Sequence, residues 1–507
     1  MPSEIELCFG LTGPSALTPR GLARWELLSD AKPRVQTLSA IYFDTPDFTL
    51  ASHRFGLRVR RESGRWVQTF KAEKDDLART EINHILSQRN LQPIPGIDAS
   101  GLPDRSQLMA LGMKKTDAVS IARPQALRPI FSVRVRRTSW LVTVGASQIE
   151  VAFDSGVIST DAAQSKILEV ELELVCGQRS DLFAATQSLS LFFEAQDQAA
   201  CLEPRSKAQR GLMLIAPTAQ QHRMPKARQA GSTGLVLGVH LLRAAQALAA
   251  QVWVILESAH PEGPHQARVA LRQIRTILKL IHAATQDPST DAPMDLAMDA
   301  MNAPGDPLLL LAAALADALG ELRDLDVATE KVLRPLRETL PTDQDILEAS
   351  SLISTARSAI QEALRHDLVR AQTRGLVIAL LIRADELRTD HGLSPAAAFA
   401  RGQAQLLLKR VARRKRVAHS PEGRHRLRLA YKALRYATPV LLQLGAEPSL
   451  AIAAKKAAKA QERLGDEQDK AVMLQTLRRH LSDTQTAQPS GPGRFLILVE
   501  GFLIGLP

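Results

Sequence analysis

The spacing of hydrophobic residues in this chain changes near residue 235. Before that point, short segments alternate between charged and apolar residues, as in Leu168–Glu173, which is the pattern of strands with one buried face. After it, long Ala- and Leu-rich segments follow the helical period of 3.6 residues. The chain is therefore predicted to be a two-domain α+β protein: 1–213 is an antiparallel β-domain, 214–234 is a linker rich in Pro and Gly, and 235–507 is an all-α bundle.

The charge of the chain predicts an acidic partner. Its 64 Lys and Arg residues exceed its 53 Asp and Glu residues, which gives a formal net charge of +11. Nucleic acid, anionic lipid or a phosphate polymer would suit such a surface. Aromatic residues make up only 4% of the chain, whereas proteins that stack unpaired bases use more of them. The composition therefore argues against nucleic acid and favours a phosphate polymer.

Three features predict a cytoplasmic protein with no membrane partner. The cysteines, Cys8, Cys176 and Cys201, are widely spaced, which indicates a reducing compartment without disulfides or a zinc site. The N-terminus lacks the charged and apolar regions of a signal peptide. The apolar stretch 495–507 contains Glu500 and, at about 13 residues, is too short to cross a bilayer, so we expect a packed terminal helix there.

Two helical segments carry four polar residues at the same spacing, i, i+3, i+7 and i+10. On a helix these positions lie within about 80° of one face, so each set would form a ridge. A solvated basic face would explain one ridge, but the duplication favours a polyanion-binding surface on a pseudo-symmetric bundle. Ridge 1 is His265, Arg268, Arg272 and Arg275, and ridge 2 is His425, Arg428, Lys432 and Arg435.

The charged residues of the N-terminal strands are segregated by sign. A plain sandwich with a polar exterior would explain the alternation alone. A closed antiparallel barrel with inward charges would instead place an acidic wall opposite a basic wall, which suits a divalent metal held by carboxylates and an oligophosphate held by Arg and Lys. The acidic strands carry Glu4 and Glu6, or Glu169, Glu171 and Glu173; the basic strands carry Arg58 and Arg60, Lys71, or Arg134 and Arg136.

Taken in order, the N-terminal motifs resemble a CYTH domain, the triphosphate tunnel metalloenzyme fold. The resemblance covers nearly all of 1–213 and implies an eight-stranded antiparallel β-tunnel that hydrolyses triphosphate compounds with Mg²⁺ or Mn²⁺. The motifs are Glu4-x-Glu6, Arg58-x-Arg60, Thr69-Phe70-Lys71, Asp154, Glu169-x-Glu171 and Ser206-Lys207-x-x-Arg210-Gly211.

The resemblance also implies roles for individual residues. Glu4, Glu6 and Asp154 would belong to the catalytic acidic set. Glu173 shares the face of the expected ligands, and Arg134 is open between an extra interior charge and a salt-bridge partner. The implied metal ligands are Glu4, Glu6, Glu169 and Glu171, and the implied phosphate-binding residues are Arg58, Arg60, Lys71, Arg136 and Lys207.

One residue departs from the CYTH signature, Glu-x-Glu-x-Lys. Cys8 stands where the lysine belongs, and a neutral thiol cannot supply a cation. Loss of one charge-assisted contact would cost about 2–4 kcal/mol of transition-state stabilisation. Nearby carboxylates would raise the pKa of Cys8, so we do not expect a nucleophilic thiolate. Two alternatives follow: an inorganic triphosphatase-like phosphohydrolase, or a non-catalytic polyphosphate-binding or granule-associated protein with a degraded tunnel.

The C-terminal half resembles a CHAD domain, a helical module often fused behind a CYTH domain. Besides the two ridges, the resemblance rests on Leu319-Gly320-x-x-Arg323-Asp324 and Leu464-Gly465-x-x-x-Asp469. It implies binding of inorganic polyphosphate and a location at polyphosphate granules. Polyphosphate carries charge on every phosphate and has no bases, so it matches cationic ridges with few aromatic residues.

Overall fold

Nine antiparallel strands form one sheet in the first 202 residues of the computed structural model. They are β1 (Ser3–Leu11), β2 (Arg34–Asp44), β3 (Phe55–Glu62), β4 (Arg65–Glu73), β5 (Ala78–Ile85), β6 (Arg128–Val144), β7 (Ser147–Ser159), β8 (Gln164–Cys176) and β9 (Ala200–Leu202). Their order is β5-β4-β3-β2-β6-β7-β8-β1-β9, and β5 also pairs with β1. The first eight strands therefore close into a tunnel, as predicted, and β9 extends the pairing of β1.

The structure describes most of the chain, in segments. These are 3–13, 17–62, 64–73, 78–86, 96–111, 113–121, 126–215, 231–285, 306–389, 393, 395–482, 495–496, 498–499 and 501–502. They divide into two compact units. The tunnel unit is Met1–Lys226 with Val369–Ile378, and the helical unit is Ala227–Leu368 with Ala379–Pro507.

Short helices cover or cap the tunnel. They are α1 (Pro19–Leu22), α2 (Thr49–Ser52), α3 (Arg105–Ala110), α4 (Lys115–Ile121), α5 (Arg179–Ala195) and α6 (Lys207–Ile215). Helix α5 packs on β6, β7 and β8, so the outward-facing Trp140 and Val151 are buried. Helix α6 packs Leu212 against apolar side chains of β2, β6, β7 and β8. A Cβ at Gly211 would collide with the ring of Phe131, which explains the glycine at this position.

One segment of the tunnel unit comes from far along the sequence. Arg374 is 2% exposed, and its guanidinium donates to Ser190 Oγ (2.7 Å), to the Ser190 carbonyl (3.0 Å) and to the Ala200 carbonyl (3.1 Å). The amide of Ala200 in turn donates to the Val369 carbonyl. The sequence had assigned 235–507 entirely to the helical domain, whereas Val369–Ile378 groups with the strands.

The helical unit repeats one arrangement of three helices. The helices from residue 233 onward are α7 (Thr233–Glu257), α8 (Glu262–Thr285), α9 (Pro307–Ala328), α10 (Arg334–Thr339), α11 (Gln344–Leu368), α12 (Ala371–Thr389), α13 (Ala396–Arg416), α14 (Pro421–Gln443) and α15 (Ser449–Ser482). The part of α12 up to Ile378 belongs to the tunnel unit. Helix α8 packs between α7 and α9, and α14 packs between α13 and α15. Helix α8 also contacts α14, and α9 contacts α15. The predicted internal repeat is therefore a repeated packing pattern with a ridge helix at the centre of each copy.

Two apolar segments have defined positions in the helical unit. Among the described helices, Thr233–Glu257 alone is long and apolar enough to cross a membrane, with a mean hydropathy of 1.4, and 61% of that apolar window is buried inside the protein. Near the C-terminus, Phe495 and Val499 are buried in a core with Leu325 and Leu477, as expected for a packed terminal segment. Most of the predicted linker, 216–230, lies outside the described residues.

Candidate functional site

Strand pairing brings acidic side chains of β1, β7 and β8 together. The register places Asp154 directly between Arg137 on one side and Glu169 on the other. It also places Glu171 opposite Cys8. Directly opposed residues of antiparallel strands hold their Cβ atoms about 4.5–5.5 Å apart. The pairing therefore creates one cluster of side chains inside the tunnel.

Three carboxylates of this cluster converge on one ammonium group. Asp154, Glu169 and Glu171, here called the carboxylate cluster, surround the Nζ atom of Lys207 at the start of α6. The distance from Nζ is 2.8 Å to Asp154 Oδ2 and 2.6 Å to Glu171 Oε1, and Nζ also contacts Glu169 Oε1. Asp154 is fully buried and Glu169 is 2% exposed. Such burial requires compensation by paired charges.

Two arginines complete the compensation. Arg137 donates from Nε and Nη2 to the two oxygens of Asp154, each at 2.7 Å, and Nη2 also contacts Glu171. Arg210, one turn after Lys207, contacts Glu169 and donates to the Lys166 carbonyl at 3.1 Å. Three carboxylates thus face three cations, so the cluster is balanced in charge.

The charges hold one another in the ionised state. Burial alone would raise the pKa of Glu171, but Lys207 and Arg137 lower that pKa below its ordinary value. Burial would likewise lower the pKa of Lys207, but Glu169, Glu171 and Asp154 raise it well above the ordinary value. Glu171 therefore remains available as an anionic carboxylate at neutral pH.

The opposite side of the tunnel carries cations on β3 and β4. Lys71 Nζ lies 3.2 Å and Arg58 Nη2 lies 3.8 Å from the carboxylate of Glu81 on β5. Burial, and then repulsion from Arg58 and Arg137, lower the pKa of Arg60 to about 10. At neutral pH Arg60 is thus a charged group whose charge is opposed by its surroundings. An anion bound beside Arg60 would offset the free-energy cost of keeping this charge in the tunnel.

Cys8 lies at the edge of the carboxylate cluster. Burial, and then the charges of Glu169 and Glu171, raise the pKa of the Cys8 thiol well above its ordinary value. The thiol is neutral at physiological pH, as the sequence predicted. Ligand atoms of Cys8, Glu169 and Glu171 lie within 4.8 Å of one another, and within the described part of the chain this is the one group of three or more such residues.

Carboxylate oxygens directed at one cation position fit a hard divalent ion. Lys207 Nζ already occupies that position with three oxygens around it. Mg²⁺ and Mn²⁺ prefer such ligands. The residues present therefore fit the metal that the sequence resemblance implies.

The two ridges lie on helices that pack against each other in the helical unit. All four ridge 1 residues are half-buried on α8, whereas ridge 2 on α14 has His425 and Arg435 exposed. Arg272 Nε donates to the hydroxyl of Tyr436 at 3.0 Å. The two ridges are therefore adjacent, and a tyrosine that the sequence did not assign to either lies at their junction.

A glycine on α9 makes room for ridge 1. Arg268 Nη1 donates to the Ala316 carbonyl at 2.8 Å, and a Cβ at Gly320 would lie 2.7 Å from the same nitrogen. Burial lowers the pKa of Arg268, an effect that the charge of Asp324 opposes. Burial and then Arg323 lower the pKa of His265. The Leu319-Gly320-x-x-Arg323-Asp324 motif thus surrounds ridge 1 sterically and electrostatically.

Comparison with known proteins identifies both halves. Residues 3–207 match the CYTH domain family, and residues 240–478 match the CHAD domain family. The chain combines a CYTH domain with a CHAD domain. Over 215 residues it is 32% identical to the inorganic triphosphatase of Haemophilus influenzae, and this match covers 42% of the chain and 55% of that relative. The chain thus spans about half the length of that relative.

Solved structures give two further similarities. The CHAD domain of the plant Ricinus communis is 24% identical, with a TM-score of 0.44 over 55% of this chain and 88% of that one. A Hippeastrum protein, described as revealing a dominant triphosphatase activity, is 16% identical, with a TM-score of 0.29 over 43% of this chain and all of that one.

The CYTH tunnel brings together most of the residues that the sequence selected. Asp154, Glu169, Glu171 and Lys207 form the cluster described above. Glu6 is half-buried on β1, opposite Glu173. Glu4 lies on β1, but its side chain is outside the described residues. Arg58, Arg60 and Lys71 lie on the basic side, as predicted.

The prediction for Arg136 is wrong. Its side chain is exposed, as is that of Arg134, because on this part of β6 the inward positions are Val133 and Val135, which pack in an apolar core. The next inward position is Arg137, which binds Asp154. The adjacent pair Arg136-Arg137 was the signal, since alternation with the two valines would have placed Arg137 inside.

Other CYTH residues were missed or left without a role. Arg210 was named in a motif but was given no role. Its three-residue spacing from Lys207 places both side chains on one helix face, which was the signal for a shared role. Glu81 pairs with two predicted phosphate-binding cations. Glu150 lies opposite Glu173 on the inward face of β7, four residues before Asp154, and the sequence analysis gave it no role.

Proposed function

We propose that the CYTH tunnel hydrolyses inorganic triphosphate, or a related short phosphate chain, and that the CHAD domain binds polyphosphate. The observation that carries the first part is the tunnel cross-section. Buried carboxylates on β7 and β8 face half-buried cations on β3 and β4. One wall thus suits metal ligands and the other suits phosphate oxygens. We place the protein in the cytoplasm, at polyphosphate granules.

Each wall has its own task in this proposal. Arg58, Arg60 and Lys71 bind the phosphate oxygens, and the bound anion offsets the burial and the repulsion that together lower the pKa of Arg60. Asp154, bound through both oxygens by Arg137, fixes that guanidinium in place rather than acting as a base. The closed strand pairing restricts bulk water around these groups.

A divalent cation has a defined place in the proposed reaction. Glu6, Glu169 and Glu171 would hold Mg²⁺ or Mn²⁺, which when bound polarises phosphate oxygens towards attack by water. Glu171 stays ionised because Lys207 and Arg137 lower its pKa, so no proton has to leave this carboxylate before metal binds.

Phosphate release from triphosphate tests the enzymatic proposal. The purified chain should release phosphate with Mg²⁺ or Mn²⁺, and the double variant Glu6→Gln, Glu171→Gln should lose at least 100-fold of that rate. Asp161→Asn is the matched control, since Asp161 is exposed in the turn after β7. Equal rates for the double variant and its parent would refute hydrolysis in the tunnel.

A second candidate function is supported by Cys8. The thiol supplies no positive charge where the CYTH signature has lysine, and its raised pKa keeps it neutral. The chain would then be a non-catalytic polyphosphate-binding protein. Cys8→Lys separates the two: a large gain in phosphate release would support a degraded tunnel, and Cys176→Lys, at an exposed position, controls for added charge.

A further inference from the structure

The ammonium group of Lys207 occupies the position that a divalent cation would need. Oxygens of three carboxylates converge on Nζ. With Arg137 and Arg210 the cluster is already neutral. A divalent ion added to this neutral, buried cluster would bring two uncompensated charges into it. The negative charge of Glu6 would offset one of these charges, and the departure of a resident cation would offset the other.

Lys207 is the cation best able to leave. Arg137 is held through two hydrogen bonds to Asp154, and Arg210 has a second hydrogen bond to the Lys166 carbonyl. Within the described part of the chain, the ionic contacts of Lys207 are all with the three carboxylates. Its four-carbon side chain is flexible, and a lysine ammonium acts as a point charge that needs no fixed orientation.

The backbone that carries Lys207 is fixed independently of its side chain. The Ser206 amide donates to Gln209 Oε1 at 2.9 Å, and the Gln209 amide donates to Ser206 Oγ at 3.2 Å. These reciprocal bonds cap the start of α6. Gly211 and Leu212 pack against the strands one turn later. The side chain of Lys207 can therefore move without unfolding the helix.

We propose that Lys207 is a built-in counter-ion which a divalent cation displaces from the carboxylate cluster, and that the displaced ammonium group then binds the phosphate chain. The exchange couples the two ligands: metal binding frees a phosphate-binding group, and phosphate stabilises the freed position. By linkage each ligand raises the affinity for the other. This proposal deepens the proposed function and rests on it for the identity of the anion.

Binding of Mn²⁺ alone, followed by electron paramagnetic resonance, tests the exchange in the full chain. Lys207→Met should lower the dissociation constant for Mn²⁺ by about tenfold or more, because the competing ammonium is gone. Arg210→Met removes the same charge without vacating the position and should have a smaller effect. Lys166→Met, at an exposed position, should have none. A Lys207→Met variant that binds Mn²⁺ no more tightly than the parent overturns the proposal.

A second measurement uses the parent protein and needs no variant. An amine-reactive acetylating reagent with mass spectrometry should modify Lys207 slowly without metal and faster with Mn²⁺, relative to Lys166. Unchanged modification of Lys207 would contradict the exchange. Failure of the proposed function appears separately, as absent phosphate release, because Lys207→Met can gain Mn²⁺ affinity whether or not the tunnel turns over triphosphate.

Discussion

Arg272 on α8 donates a hydrogen bond from Nε to the hydroxyl of Tyr436 on α14, 3.0 Å away. The guanidinium carbons of Arg272 and Arg435 lie 5.7 Å and 5.8 Å from the centroid of the same tyrosine ring. One aromatic ring therefore contacts a cation from each ridge, within the range of cation–π attraction. The two copies of the repeat thus share one surface, which makes a joint test of both ridges meaningful.

Removing one cation from each ridge should weaken polyphosphate binding. Arg272→Ala with Lys432→Ala is expected to lower affinity and to reduce the slope of log affinity against log salt by about 1–2, since fewer counterions are released. Titration at several salt concentrations measures this. Lys331→Ala with Arg337→Ala, at exposed positions elsewhere in the helical unit, is the charge-matched control. If the ridge variant bound polyphosphate as tightly as the parent protein, the ridges would be ordinary solvated helix faces.

Arg137 and its neighbour Arg136 should differ sharply in their contribution to stability. Arg137→Met would leave the fully buried Asp154 with Lys207 as its remaining ionic partner among the described residues, which we expect to cost about 3 kcal/mol. Arg136→Met removes an exposed side chain and should change the free energy of unfolding by less than about 0.5 kcal/mol. Urea unfolding followed by tryptophan fluorescence compares them, and similar losses would contradict the assignment of Arg137 to the interior.

The thiols of Cys8 and Cys176 should react at very different rates. The raised pKa of Cys8 keeps it protonated at neutral pH, and only thiolates react with disulfide reagents. Cys176 is exposed and should be labelled first at pH 8. Labelling of Cys8 should increase only when the pH exceeds the ordinary pKa of a cysteine thiol. Fast labelling of Cys8 at pH 7, read by mass spectrometry, would show an activated thiolate instead.

Arg60→Met should stabilise the ligand-free protein while weakening triphosphate binding. The pKa of Arg60 is lowered to about 10, so its folded pKa lies below that of the unfolded chain. The charged form therefore costs folding free energy at every pH below about 10, and the cost fades as pH rises through that value. We expect a gain of about 1 kcal/mol in urea unfolding at pH 7. A destabilised variant with unchanged triphosphate affinity would contradict this role.

Arg374 should matter more to the tunnel unit than nearby Arg370. Arg374→Met would remove the guanidinium donor of the Ser190 and Ala200 carbonyls, at a cost of about 3–5 kcal/mol. Arg370 pairs with the exposed Asp197, and such pairs contribute below about 1 kcal/mol. Thermal unfolding of the two methionine variants should therefore differ by several degrees. Equal midpoints would show that Arg374 is not an anchor.

The sequence predicted those features of the site that depend on a pattern within a single strand or helix. Alternation identified the strands that carry Glu169, Glu171 and Arg60, because a two-residue period is visible within one strand. It did not say which face points inward, and on β6 the valines take that face, so Arg136 was chosen in place of Arg137. The same strand can serve the charged interior at one end and an apolar core at the other.

Contacts between distant segments were not accessible from local patterns. The duplicated spacing gave both ridges, yet Tyr436 became part of that surface only through the packing of α8 on α14. Gly320 was identified as part of a motif, but the reason for a glycine there is the guanidinium of Arg268, which comes from another helix. Arg374 carried no signal at all, since its partners lie in α5 and β9.

The hydrogen bond from Arg374 to Ser190 joins residues 184 positions apart, and this separation sets a schedule for biosynthesis. A ribosome adds about 5–20 residues per second, so roughly 10–40 seconds pass between the synthesis of the acceptor and that of its donor. By the end of that interval every strand of the tunnel has been synthesised, while the carbonyls of Ser190 and Ala200 do not yet have the guanidinium of Arg374 as a donor. The nascent tunnel therefore exists for a time with all its strands present but without the contacts that Arg374 makes to α5 and β9.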